Sequence, residues 1–429
     1  MSVPESLRAD LGRDLLRLQR ESPAPSANAA LFRDGEVLWG EAIGLADVEG
    51  GREATPDTQY AIASITKTFI AAAIMLLRDE GALSLDDSLG SHLEEADREG
   101  VTLRRMLAHL SGMQREAPGE VWETLQMPDR EELLAGLPEA EQVLQPGAHW
   151  HYSNLAYALL GEVIHRVSGI PAEQFVEERL LRPQGLERTT WGPGANAATG
   201  YYVDRFADLA HPEPVVEKRA LSPAGALWST TRDLASWAAY LMEQEEMHAL
   251  QVLADPDEWR LGWGLGLILY RRGDHIFAGH DGGAVGHASH LSYSRRERVG
   301  IVVLTNTENP SPEFDPVALT EKAAEALPAD EEPWRPGEPV PEELEGVLGS
   351  WWGEGLEWRF EWREGKLRAI RPGRPIRAIF EREGDDVYRT ASGRERGELL
   401  RIVRDEAGEP SKLYWATYAF TRQPKAFSA

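Results

Sequence analysis

Apolar residues recur at helical spacing from the start of the chain. Leu7, Leu11, Leu15 and Leu18 fall on one face, which predicts an amphipathic first helix. Two apolar runs, AALFR and EVLWG, then flank Asp34-Gly35. Such a pair between such runs predicts a hairpin, because both residues accept the positive φ of a tight turn. A second helix is predicted from Lys67 to Arg78, with Gly81 placed to end it. The middle of the chain, with LRRMLAHLSGM and YALLGEVIHRVSG, reads as largely helical with long loops. The Ser229-Thr230-Thr231 cluster announces one more helix, LASWAAYLM. Strand-like runs then return in LGLILYR, HLSYS and VGIVVLTN, with Arg295 to Arg298 as a polar turn between the last two.

The texture changes at Pro328. PADEEPWRPGEPVPEE is rich in proline and acid, as an extended linker is. Beyond it LEWRFEW, KLRAI, DVYRT, ELLRIV and KLYWATYAF alternate or cluster as short strands, with no helical pattern among them. They predict a small antiparallel barrel or sandwich, with Trp351-Trp352 as an aromatic pair in its core. The expected division is therefore a first domain over residues 1–327, a linker over 328–341 and a second domain over 342–429.

Composition narrows the functional classes. A net charge of −26 repels nucleic acid and anionic membrane surfaces alike. The absence of cysteine removes disulfides, thiolate metal sites and cysteine nucleophiles together. Charges are scattered through MSVPESLRADLGRDLLRLQRES, so it does not read as a signal peptide, and no apolar run reaches membrane length. A soluble, cytoplasmic protein is the expectation.

Three short stretches carry candidate chemistry. In AIASITKTF, Ser64 and Lys67 stand three apart where a helix begins, so they share one face. The helix N-terminus adds donors where an oxyanion would form. A serine hydroxyl needs a base to become a nucleophile, and one candidate follows far downstream. There Tyr152, Ser153 and Asn154 come after a Pro-Gly turn and before an apolar helix. The third stretch is AGHDGGAVGHASHLSYS, in which Gly282 and Gly283 leave room for a backbone to pass close to a ligand.

In order, Ser64-Ile65-Thr66-Lys67, Tyr152-Ser153-Asn154 and His280-Asp281-Gly282 resemble the three motifs of the serine β-lactamase and penicillin-binding-protein superfamily. The resemblance is to its class C-like branch of esterases, D-aminopeptidases and related peptidases, and extends over roughly Ala27 to Ala326. It implies an α/β sandwich, a mostly antiparallel sheet flanked by helices with a helical subdomain between the first and last strands. By the same resemblance Ser64 is the acylated nucleophile with Lys67 beside it, and Tyr152 is the general base, its pKa lowered by Lys67. Which of Lys67 and Tyr152 takes the proton stays open. The backbone N–H groups of Ser64 and Gly283 would form the oxyanion hole, and Asn154 and Gly282 would contact substrate. No cofactor or metal is implied, and the substrate would be a small molecule or short peptide. Relatives with a C-terminal lipocalin-like barrel share this domain order, so the second domain would shape the entrance or build a homo-oligomer.

One position departs from the pattern. Superfamily members that act on β-lactams usually carry lysine where this chain has His280, and a histidine is neutral for much of the time at pH 7. That favours an esterase or peptidase over the alternatives, a β-lactamase or penicillin-binding enzyme, or an inactive binding protein of the same fold. His280 is then expected to be a neutral hydrogen-bond partner of the Ser64, Lys67 and Tyr152 cluster. Plainer roles compete at other positions. Asn154 is a candidate N-cap, and His109 a candidate helix C-cap. The histidines at 149, 151, 275, 280, 287 and 290 lack the tight ligand pair of a metal hydrolase.

Overall fold

The computed structural model describes residues 3–204, 206–308, 314–329, 336–374 and 377–424. The chain divides into two compact units, Met1–Asp330 and Glu331–Ala429. Part of the expected linker, residues 330–335, lies outside the described residues.

The first unit is built on a nine-stranded antiparallel sheet. The Asp34-Gly35 turn, with φ of 50° and 83°, joins Ser26–Arg33 to Glu36–Asp47 as the sequence predicts. The other edge of Ser26–Arg33 pairs with Val299–Thr305, which arrives from the far end of the unit. Next in line come His287–Ser294, His275–Ala284, Ile268–Arg272, Leu261–Trp263 and Val252–Leu253. The first and last parts of the unit therefore share one sheet, and the helical region lies between them in sequence.

Alternation along the central strands feeds two cores, because successive side chains leave a strand on opposite faces. Val302 and Leu304 join the larger core, together with helix Thr66–Asp79 and helix Thr231–Glu243. Val299, Ile301 and Val303 join the other, where the predicted first helix, Glu5–Glu21, buries Leu7, Leu11, Leu15 and Leu18 beside helix Pro316–Ala326. A strand buried on both faces must read as an unbroken apolar run, and VGIVVLT does. The predicted helix at Thr231 is capped by the Thr230 hydroxyl, which accepts from Asp233 N–H at 3.2 Å. LGLILYR is strand only from Ile268 onward; before it, Gly266 has φ of 76°, a turn conformation.

The second unit is a closed eight-stranded antiparallel barrel in which each strand pairs with the next and Tyr418–Thr421 returns to Gly349–Gly353. Two of its strands, Gly349–Gly353 and Arg377–Gly384, were not singled out in the sequence, and KLYWATYAF is two strands rather than one. Its interior is filled by Trp351, Phe360, Phe380, Trp415, Phe420 and aliphatic neighbours. The Trp351-Trp352 pair is split by strand alternation. Trp351 is fully buried and its indole donates to Val347 O at 2.6 Å, whereas Trp352 is only half-buried on the other face.

No helix among the described residues is long and apolar enough to cross a membrane.

Candidate active site

Ser64 lies in a short 3-10 turn, Ala63–Ile65, that runs directly into helix Thr66–Asp79. Ala63 has φ of 45°, an uncommon value for a residue with a Cβ. The turn is held in this conformation from the sheet. Ser289 Oγ donates to Ile62 O at 2.9 Å, and Gly282 packs so closely on Ile62 and Ala63 that a side chain would not fit. One helical turn later, Lys67 comes back over Ser64, as the spacing of three predicts. Its Nζ is 3.1 Å from Ser64 Oγ, 2.8 Å from Asn154 Oδ1 and 2.6 Å from Ala224 O.

Tyr152 approaches from the middle region and its phenol is hydrogen-bonded to Ser64. Its ring stacks on His109 at 4.2 Å between centroids, and the Lys67 ammonium position is 5.0 Å from its centre. His109 is fully buried with φ of 56°, just past helix Leu103–Leu107. Its backbone does end that helix, but its side chain serves the second motif: Nδ1 accepts from Ser153 N–H at 3.1 Å. Sequence reasoning weighed His109 as a helix cap or a substrate contact, and not as the support of the second motif.

The N-cap expected of Asn154 belongs instead to Ser153, whose hydroxyl accepts from Ala156 N–H at 3.0 Å. Asn154 is the first helical residue, and its amide is used twice: Oδ1 accepts from Lys67, and Nδ2 donates to Glu116 Oε1 at 2.8 Å. Glu116 was missed in the sequence. The only signal for it was an acid shortly after LAHLSGM, and one acid in a loop says nothing by itself.

Electrostatics correct one expectation. The phenol of Tyr152 was expected to be lowered by Lys67, yet burial raises it well above its ordinary value, and the hydrogen bond to Ser64 only partly opposes this. Lys67 moves the other way. Complete burial pulls it far below the ordinary lysine range, Glu116 opposes the shift, and Arg115 and Lys218 add to it.

His280 reaches the same cavity, with its ring 6.5 Å from that of Tyr152 and edge-on to Trp263. The hydrogen bond expected between it and the cluster is not formed. Nδ1 donates instead to Asp281 O at 2.6 Å, and Nε2 has no partner. Burial, aided by the nearby Lys67, lowers its pKa to about 4. The Asp281 side chain turns to the other face of the strand, where it accepts from Tyr270 at 2.7 Å and pairs with His290.

The cavity that these groups share has a volume of about 920 Å³. Ser64, Tyr152, Asn154, His280, Gly282 and Gly283 all line it, so the fold brings every expected site residue except Lys67 to its wall. Lys67 lies just behind, fully buried. Next to Gly283 there is open space where a side chain would point, so nothing crowds the strand at that position. Arg115, Glu116, Asp281 and Glu308 are the charged residues of the lining. Among the described residues no group of three or more His, Asp or Glu could hold a metal ion.

The chain belongs to the beta-lactamase family, whose profile matches residues 15–325. A second profile, a domain of unknown function (DUF7586), matches residues 340–422. Protein flp of Staphylococcus aureus (strain MW2) is 26% identical over 308 residues, which are 66% of this chain; the chain spans only 59% of the length of flp. Among solved structures, an octameric penicillin-binding protein homologue from Pyrococcus abyssi superposes with a TM-score of 0.65 at 23% identity, over 96% of this chain and 99% of the other. A D-stereospecific amidohydrolase from Streptomyces sp. superposes with a TM-score of 0.61 at 26% identity, over 74% of this chain and 98% of the other. These likenesses agree with the β-lactamase-like α/β fold of the first unit.

Proposed function

We propose that the chain is a serine hydrolase of the class C-like branch that cleaves an ester or amide bond through an acyl-enzyme on Ser64. The observation that carries this reading is the set of partners around the buried Lys67 amine. Asn154 Oδ1 and Ala224 O are both acceptors, so each needs an N–H. A neutral amine has two N–H groups and one lone pair. The lone pair is left for the third neighbour, the Ser64 hydroxyl. Glu116 fixes the geometry by holding Nδ2, which obliges Oδ1 to face Lys67. The same burial that pulls Lys67 towards its uncharged form favours the protonated phenol of Tyr152.

The roles follow from those protonation states. Ser64 Oγ attacks the substrate carbonyl carbon while its proton passes to Lys67 Nζ. The developing oxyanion is received by the N–H groups of Ser64 and Gly283. Tyr152 gives its proton to the leaving nitrogen or oxygen as that bond breaks, and Lys67 then restores the proton to Tyr152. In the second half, water stands where the leaving group was. Tyr152 takes its proton while passing its own to Lys67, the hydroxide attacks the acyl carbon, and Lys67 returns a proton to Ser64 Oγ. Atoms and protons balance over the cycle.

The Streptomyces relative supports including amides of D-configured residues in the substrate range. β-Lactams that carry a carboxylate are disfavoured, because His280 is neutral and the carboxylates of Glu116 and Glu308 line the cavity. A fluorophosphonate should therefore add once, on the peptide that contains Ser64, and Ser64→Ala should abolish both labelling and turnover of p-nitrophenyl acetate. Labelling elsewhere, with Ser64→Ala still active, would refute the assignment.

A further inference from the structure

We infer that Trp122 and Lys218 form a movable partition between the catalytic cavity and a second cavity, and that this partition limits the length of apolar acyl chain the site accepts. The inference rests on the serine hydrolase reading above and deepens it. The second cavity has a volume of about 560 Å³. Val216, Ala226 and the rings of Trp191 and Trp228 give it apolar walls, and its charged lining residues all belong to the loop 213–219. Ala284 and Val285 line both cavities, so the two adjoin at the end of strand His275–Ala284.

The proposed chemistry fixes which end of a substrate points there. Tyr152 protonates the leaving group, and Tyr152 lies beside His280. The leaving group is therefore on the His280 side. The acyl chain runs the other way along the strand, past Gly283 towards Ala284 and Val285. A chain that continues beyond Val285 enters the second cavity.

The partition stands at that boundary. Trp122 lines the first cavity and Lys218 the second, and the Lys218 ammonium is 4.5 Å from the centre of the Trp122 ring. They come from segments far apart in the chain, Trp122 from helix Val121–Thr124 and Lys218 from just before the turn Arg219–Leu221. Their neighbours hold the two segments together. Ala220 N–H donates to Pro128 O at 3.1 Å, and Arg219 Nη1 donates to Met127 O at 3.0 Å. What joins Trp122 to Lys218 is the weaker attraction of an ammonium for a ring face. Glu116 and Glu308 attract Lys218 without a hydrogen bond, and burial lowers its pKa. The Trp122 ring is 45% exposed and belongs to neither apolar core of the unit, so it swings aside without leaving a core cavity behind. A chain that displaces it gives up one cation–ring contact and gains the apolar walls beyond.

The test compares p-nitrophenyl octanoate with p-nitrophenyl acetate on wild type, Trp122→Ala, Trp122→Phe and Lys218→Met, read as the octanoate-to-acetate ratio of kcat/KM. Burying two more methylenes is worth about tenfold, so Trp122→Ala should raise the ratio by about that factor or more. Lys218→Met should raise it by less, because the ring stays but loses its hold. Trp122→Phe keeps a ring for the ammonium and should keep the wild-type ratio. Val216→Trp fills the second cavity, and added to Trp122→Ala it should cancel the gain. An unchanged or lower ratio in Trp122→Ala, no change in Lys218→Met, or a gain that survives Val216→Trp, with acetate still turned over through Ser64, overturns this inference alone. Absence of any Ser64-dependent turnover in wild type overturns the hydrolase reading together with it.

Discussion

Replacing Gly282 by alanine tests how the sheet holds Ser64. A Cβ at this position would meet the Ile62 carbonyl oxygen, Ser289 Oγ and Ala63 Cβ. Ser289 can rotate away, although it would then give up its 2.9 Å bond to Ile62 O. The Ile62 oxygen is backbone and cannot. The new carbon would lie about 1 Å inside ordinary C···O contact, so strand or turn must move by that much. The turn in question holds Ser64. Overpacking of this kind costs about 1–3 kcal/mol, which corresponds to a fall in Tm of roughly 1.5–4 °C in a unit of this size. A displacement of about 1 Å at a reacting group costs on the order of 100-fold in rate. Gly283→Ala is the internal control. Its Cβ would meet nothing within 4 Å, and its backbone N–H is kept. The assay is kcat/KM on p-nitrophenyl acetate beside thermal unfolding followed by circular dichroism. Gly282→Ala should lose both rate and Tm, and Gly283→Ala should keep its Tm. Equal Tm values and rates for the two variants would refute the claim that the sheet positions Ser64 through Gly282.

Two further predictions concern pH and domain structure. In the proposed mechanism Lys67 works as the free base, and burial lowers its pKa, so kcat/KM should fall as pH drops through that lowered value, while His280, with a pKa of about 4, stays neutral above about pH 5. His280→Asn should therefore leave in place an acid limb that lies above that range; loss of that limb in a pH–rate series would assign it to His280 instead. We also propose that residues 1–330 fold without the barrel, since each unit has its own apolar core. The truncated chain should be soluble and labelled at Ser64 by fluorophosphonate, and an insoluble product that refolding does not rescue would count against it.

The sequence alone determined what depends on neighbours along the chain. The spacing of three between Ser64 and Lys67 sets them on one helical face, and that is the geometry found. Asp34-Gly35 fixes its hairpin through two residues that tolerate positive φ. The run VGIVVLT announces a strand buried on both faces. The order of the three motifs was likewise legible, and with it the family.

Tertiary structure decided what depends on residues distant in the chain. Ala224 O and Asn154 Oδ1 reach Lys67 from 157 and 87 residues away, and full burial is why the Lys67 amine is pulled towards its neutral form while the Tyr152 phenol is pushed towards its protonated one. Neither direction can be read from an S-x-x-K or Y-x-N pattern, because desolvation is a property of the enclosure and not of the residue. Glu116 is the plainest case. In the sequence it is one acid among 71. Only the fold sets its carboxylate against Asn154 and so turns the amide oxygen towards Lys67.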